Sequence, residues 1–253
     1  MPGLVRSLSV RYNAGSVLAS HTHDWGQLVF ASEGVMSVST RFGVWVVPTD
    51  RAVWVPGKVE HAIEMTGSVY MRTLYLHPDV CSQLPQDCCV LQVSPLLREL
   101  IPHTCDVGML DENNVQHSHL LGFLLDQLEA LPSLPLSLPM PRDGRAIKVA
   151  RVVQNNPANK FTLTQLCSIV GASRRTIERI FSRETGLTFG QWRQQVRLLE
   201  ALKLIASGYA INAVALEVGY ESPSAFITMF RQAMGVTPKR YFSQAGLKTN
   251  KYN

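Results

Sequence analysis

Residues 166–188 read LCSIVGASRRTIERIFSRETGLT, and residues 214–237 read VALEVGYESPSAFITMFRQAMGVT. In each, an apolar stretch runs into Gly171 or Gly219, a polar turn carries Ser173 or Ser222, and a second stretch ends at Phe181 or Phe230 ahead of a Gly-x-Thr. A helix, a short glycine-containing turn and a second helix, used twice, is one supersecondary unit repeated. Such a unit serves chiefly to lay its second helix in a DNA major groove. The pair predicts an all-α reader of duplex DNA.

Between the two units, residues 189–207 (FGQWRQQVRLLEALKLIAS) predict a single amphipathic helix closed by Gly208, with Trp192, Val196, Leu199, Leu202 and Ala206 at helical spacing and Arg193, Arg197 and Lys203 off that stripe. At 1.5 Å per residue it spans roughly 30 Å, close to the ~34 Å between successive major-groove faces. The charge agrees with this placement. Residues 1–140 carry 7 Lys+Arg against 13 Asp+Glu, a net of −6, while residues 141–253 carry 17 against 6, a net of +11. Only the basic part suits a polyanion such as a phosphate backbone.

The remainder divides at residues 131–145, LPSLPLSLPMPRDGR, where Pro132, Pro135, Pro139 and Pro141 precede Asp143-Gly144. Prolines at this density exclude a helix or central strand and predict a semi-rigid linker. Residues 1–130 then form a first domain and residues 146–245 a second. In the first, QLVF, VMSVST, VWVV, AVWV and VYMRTLYL are separated by SEG, RFG, PTD, PGK and TGS. Taken as strands and turns, they predict a β-sandwich or small barrel. Helices follow at 94–101 and about 114–131; in the latter, Val115, Leu120, Leu121, Leu124, Leu125 and Leu128 make an apolar stripe broad enough to seek a partner, and this face is expected to form a homodimer. Cys81, Cys88, Cys89, Cys105 and Cys167 show no CxxC pairing, and the chain start has no continuous apolar segment, so reduced thiols and a cytoplasmic location are expected.

Three motifs resemble the DNA-binding domain of AraC/XylS-type bacterial transcription regulators: F-x-x-E-T-G-x-T-F at Phe181 to Phe189, GYESPSAF at Gly219 to Phe226, and F-R-x-x-x-G-V-T-P-x-x-Y at Phe230 to Tyr241. The resemblance covers roughly residues 145–243. It implies two helix-turn-helix units joined by a long helix, preceded by a cupin-like β-barrel that senses a ligand and dimerises, an α+β chain overall. It also implies promoter DNA as partner, RNA polymerase as a further partner if the protein activates, and base-reading positions at Arg175, Glu178 and Arg179 in the first unit. In the second unit the matching positions are Ser224, Ile227 and Thr228, flanked by Arg231. Arg suits bidentate recognition of guanine and Glu can accept from cytosine, and each could instead hold a phosphate or a neighbouring side chain. Thr228 stands where the family often has Arg, which favours thymine-methyl contact there and phosphate anchoring through Arg231. Ile177, Ile180, Phe181, Trp192, Phe226, Phe230 and Tyr241 are expected to be core.

A second constellation lies in the first domain. His21-Thr22-His23, Gln27, Gly34, Pro56 and His61 are similar to the two half-motifs of metal-binding cupins, with Gln27 in the place of the usual Glu and Met65 in that of the usual Asn. Two histidines at i and i+2 on a strand share a face, and a third imidazole could complete a set for Zn²⁺, Ni²⁺ or Fe²⁺ with Gln27 orienting a bound group as a donor. The same residues could line a small-molecule pocket without metal. The function expected is an effector-responsive transcription regulator that is not an enzyme; the alternative is a cupin-type metalloenzyme fused to a DNA-binding domain. No nucleophile–base pair, phosphate loop or cofactor fingerprint supports that alternative, and Glu33 and Glu64 are the carboxylates nearest the histidines in sequence.

Overall fold

The computed structural model describes residues 3–49, 51–111, 113–129, 133–134 and 137–244. It falls into two compact units, Met1–Ser137 and Leu138–Asn253. Pro132 and Pro135 of the expected linker lie outside the described residues.

The first unit is an antiparallel sheet with helices on one face. Its strands are β1 (Val5–Tyr12), β2 (Val17–His21), β3 (Gly26–Thr40), β4 (Gly43–Val47), β5 (Arg51–Val55), β6 (His61–Leu76), β7 (Cys89–Gln92), β8 (Met109–Leu110) and β9 (Ser133–Leu134). They run in the order β8-β1-β6-β3-β5-β7-β9, with β2 on β6 and β4 on β3. The spine is the β3–β6 pair, in register from Gly26↔Leu76 to Thr40↔His61. The segments SEG and TGS are therefore not the turns the sequence suggested. They are irregularities inside two long strands, where the register shifts between Ala31, Glu33 and Val35 and where Gly34 and Gly67 take φ of 80° and 75°. Such a bulge bends the strand without ending it, so the second half of β6 pairs with β1 and the first half with β2.

β3 is buried on both faces from Gly26 to Ala31. Leu28 and Phe30 point into a core with Trp54, Leu74 and Leu76, while alternation sends Gln27 to the opposite face beside its cross-strand partner Tyr75. Helix α1 (Pro95–Val107) is capped by Ser94 and continues through Pro102, well beyond the expected 94–101. Helix α2 (Val115–Glu129) corrects a second expectation. Leu121, Leu124 and Leu128 are buried in the core of this unit, and Leu120 and Leu125 pack against it, so the leucine stripe already has its partner. Of its large apolar residues, α2 leaves Val115 and Phe123 exposed.

The second unit contains α3 (Gly144–Asn155), α4 (Leu163–Ile169), α5 (Arg174–Thr185), α6 (Phe189–Ala206), α7 (Ile211–Glu217), α8 (Pro223–Met234) and α9 (Pro238–Gln244). Asp143 caps α3, so Gly144 and Arg145 form its first turn rather than the end of a linker. The Glu184 carboxylate accepts from the backbone N–H groups of Arg142 and Asp143, which fixes the entry into α3 and holds that carboxyl below its ordinary pKa. The repeat is physical as well as textual. Ser173 and Ser222 accept from the N3 backbone N–H of α5 and α8, and Gly186 and Gly235 close those helices in the left-handed conformation. In each unit a phenylalanine meets an aromatic eleven residues on: Phe181–Trp192 centroids are 5.2 Å apart and Phe230–Tyr241 5.8 Å.

Gly171 and Gly219 occupy the same turn position and both have positive φ, 62° and 85°. A Cβ at Gly171 would meet open space, whereas at Gly219 it would lie 2.8 Å from the Ala158 Cα and from the Arg197 guanidinium. Gly171→Ala should therefore lose about 1 to 2 kcal/mol, the backbone cost alone, and Gly219→Ala more, when urea unfolding is compared. In the first unit, Leu124→Ala should lose about 2 to 5 kcal/mol, while exposed Phe123→Ala should change stability by less than about 0.5 kcal/mol.

Candidate functional site

The two units carry one candidate site each. On α5, Arg175 and Arg179 are exposed and make no hydrogen bond or ion pair among the described residues. Glu178 differs: Arg174 Nε donates to its Oε1 at 3.0 Å, one helical turn apart. A carboxylate held this way is less available to cytosine, and Arg174, which is not among the positions the resemblance implied, joins the polar face of the helix. Its i, i+4 spacing to Glu178 was the available signal. On α8, Ser224 and Thr228 are exposed and Ile227 is half-buried. The Thr228 hydroxyl donates to the Ser224 carbonyl at 3.0 Å, which commits its proton. Arg231 is exposed in the last turn of α8.

Two arginines of the connecting helix have internal work. Arg193 donates to the backbone carbonyls of Asn159 and Phe161 and to Asn159 Oδ1, and Arg197 donates to the Pro157 carbonyl at 3.1 Å. They fasten the α3–α4 loop to α6. Desolvation pushes the Arg193 pKa down, with the Arg197 charge adding to it. Ile177, Ile180, Phe181, Trp192, Phe226, Phe230 and Tyr241 are all buried.

In the first unit, His21, His23 and His61 come together. His21 closes β2 directly across from His61 at the start of β6, and His23 reaches them from the loop before β3 rather than from a strand. Ring centroids lie 4.4 Å (His21–His61), 5.1 Å (His23–His61) and 5.9 Å (His21–His23) apart, and one ring nitrogen from each lies within 4.8 Å of the others. His61 is buried and the other two are half-buried, so the cluster opens to one side.

Gln27 is central to its chemistry. Thr73 has one hydroxyl proton, and it goes to the Leu28 carbonyl at 3.0 Å. Thr73 Oγ1 therefore accepts from Gln27 Nε2, 3.0 Å away, and the same amide nitrogen donates to Tyr75 OH at 3.1 Å. The amide oxygen is left facing the histidines, 3.1 Å from His23 Nε2 and 2.9 Å from His61 Nε2. In this orientation Gln27 presents an acceptor to the histidines. The Nδ1 atoms of His21, His23 and His61 face the carbonyls of Ala19, Trp25 and Val59 at 2.8, 2.6 and 2.9 Å, contacts that need a proton on Nδ1. A neutral imidazole has one N–H. With it on Nδ1, the Nε2 lone pairs of His23 and His61 confront an amide oxygen with no hydrogen between them.

Extra protons, a cation, or an amide turned to place its nitrogen toward the imidazoles would each relieve that confrontation. Protonation is opposed at His61: burial is the main influence lowering its pKa, the Val59 carbonyl bond pulls it back, and His21 and His23 lower it again. Burial also raises the Tyr75 phenol. Thr73 and Tyr75 were not foreseen; the signal for them is pairing, since Tyr75 and Thr73 stand opposite Gln27 and Val29 on the same sheet face. Glu33 lies elsewhere, bonded to Arg11 at 2.7 and 3.2 Å, and Glu64 is exposed. No helix among the described residues is long and apolar enough to cross a membrane.

Comparison with known proteins agrees with both halves. Residues 6–137 match the AraC-like ligand binding domain, and residues 166–244 match a helix-turn-helix domain family. The HTH-type transcriptional regulator NimR of Escherichia coli K12 is 34% identical over 224 residues, covering 88% of this chain and 82% of that protein. The HTH-type transcriptional regulator GadX of the same strain is 28% identical over 227 residues, covering 85% of this chain and 76% of that protein.

Proposed function

The chain belongs to the AraC-type family of transcriptional regulators, with an N-terminal ligand-binding domain and a C-terminal helix-turn-helix DNA-binding domain, and on that premise we propose how it reads its operator and what its first domain holds. The reading helices are α5 and α8. Arg175 and Arg179 supply base contacts from α5, Glu178 and Arg174 act as a pair on its flank, and Ser224, Ile227 and Thr228 make a largely apolar reading surface on α8 beside the phosphate contact of Arg231. The observation that carries this is the freedom of Arg175 and Arg179 from any intramolecular partner among the described residues. An unpaired guanidinium on an exposed helix face is ready for bidentate recognition of guanine.

The first domain senses a divalent transition ion of the Zn²⁺, Ni²⁺ or Fe²⁺ type, held by His21, His23 and His61 with the Gln27 oxygen turned toward it. What supports this is the convergence of acceptors described above, which a cation satisfies. An ion that binds the DNA-competent and incompetent states unequally would shift the population between them. A homodimer belongs to the same reading, supported by the exposed Val115 and Phe123 on α2, as does action in the cytoplasm and contact with RNA polymerase if binding activates transcription. The metalloenzyme alternative would need a carboxylate acid or base beside the histidines. Glu33 is engaged with Arg11 and Glu64 is exposed, and the relatives compared are named as regulators.

Affinity of the full chain for duplex DNA should fall steeply with salt, because counterion release drives phosphate binding. Arg179→Ala should cost about 1 to 3 kcal/mol at the cognate operator and less on random duplex, whereas Arg231→Ala should weaken both more evenly. Fluorescence anisotropy on the two duplexes decides, and equal losses for Arg179→Ala would remove it from base reading. For the metal, elemental analysis after incubation with Ni²⁺ or Zn²⁺ and desalting should find about one ion per wild-type chain and little in the His21→Ala/His61→Ala variant. A wild type that retains none would reduce the histidines to pocket lining.

A further inference from the structure

The donor set around the histidine cluster is electrically neutral throughout, and this identifies the chemical class of the effector. Three imidazoles and an amide oxygen converge, and among the described residues no carboxylate or thiol joins the group. The acidic side chains closest in sequence are turned elsewhere: Asp24 is exposed, Glu60 accepts from Ser20 at 2.9 Å, and Glu33 is bonded to Arg11. A divalent ion held there keeps its whole +2 charge. Because His61 and Gln27 are each only 1% exposed, that charge lies against a poorly solvated wall, where an uncompensated ion is costly. Neutralisation has to come from outside the chain, through the side where His21 and His23 remain half-exposed.

Resting on the metal reading above, we propose that the ligand of the first domain is a small oxygen-donor anion, a carboxylate with a neighbouring hydroxyl or keto oxygen, which binds directly to the ion held by His21, His23 and His61. Charge selects it. The ion supplies an electrophilic centre, the carboxylate cancels charge that the chain leaves uncompensated, and the second oxygen fills a further coordination position of a six-coordinate ion. Gln27 sets this preference, since its neutral amide occupies a position where a carboxylate would have neutralised half of the charge. Its amide nitrogen donates to Thr73, whose own proton is committed to the Leu28 carbonyl, and to Tyr75, which favours the amide oxygen facing the cluster. By linkage, anion and metal each tighten the binding of the other by the same factor.

The test uses the full chain loaded with Co²⁺ and desalted, with lactate as the anion and propane-1,2-diol as its neutral counterpart, the carboxylate replaced by a hydroxymethyl-sized group. Lactate should change the visible d–d spectrum of the bound Co²⁺ saturably, slow its transfer to an external chelator at least tenfold, and bind the metal-free chain not at all by calorimetry. The diol should do none of this. Gln27→Glu, which supplies an internal carboxylate, should retain Co²⁺ yet lose at least tenfold in lactate affinity. A Co²⁺-loaded protein whose spectrum ignores lactate, a diol that acts as strongly, or a Gln27→Glu chain that takes lactate unchanged would each overturn the anion proposal while leaving the metal site standing. A wild type that keeps no Co²⁺ through desalting overturns the metal reading itself, and the anion proposal with it.

Discussion

Burial of α6 is the constraint on which the DNA-reading unit depends. Phe189, Trp192, Val196, Leu198, Leu199, Ala201, Leu202 and Ile205 are all buried, so the helix is covered around most of its circumference rather than along one stripe. The first helix-turn-helix packs against it through α5 and the second through α7. An 18-residue helix at 1.5 Å per residue is a strut of about 27 Å, and packing on both ends keeps it from bending or fraying. Trp192 ties the strut to the start of the unit, its indole N–H donating to the Pro139 carbonyl at 2.8 Å. Arg193 and Arg197 brace the α3–α4 loop against the same helix. Arg193 and Arg197 are therefore internal ties, whereas Arg175 and Arg179 on α5 and Arg231 on α8 are exposed.

The sensing unit has its own organising pair, β3 and β6. Their bulges let two strands of 15 and 16 residues serve both ends of the domain, one end packed under α1 and α2 and the other carrying the histidines. Because β3 is buried on both faces, a polar residue in it needs full hydrogen bonding. Gln27 receives that at its amide nitrogen from Thr73 and Tyr75, while its amide oxygen faces the two imidazoles. The same satisfaction that makes Gln27 tolerable in the sheet also aims its oxygen at the histidines, so packing and ligand chemistry share one cause.

Local signals carried the second unit into the sequence. Serine caps, glycines at left-handed positions and phenylalanines at repeat-equivalent places each act within a few residues, and a repeat displays them twice. The first unit was less legible because its decisive relations are long-range. SEG and TGS read as turns since glycine with small polar residues marks either a turn or a bulge, and only the partner strand decides which. The α2 leucines declare that something covers them but not what: the cover is the sheet core, not a second chain. His21, His23 and His61 could be grouped by motif, whereas Thr73 and Tyr75 enter through a strand register that joins positions 46 and 48 residues from Gln27.

With α5 and α8 set on one strut, one chain should place two reading helices a fixed distance apart along the duplex. Hydroxyl-radical footprinting of the full chain on its operator measures this directly. Each protomer should protect two backbone patches on one face of the DNA, separated by about 10 bp, one helical turn, with the second patch persisting, weakened, when Arg179→Ala reduces the first. A single protected patch per protomer, or two patches on opposite faces of the duplex, would exclude two coupled reading helices.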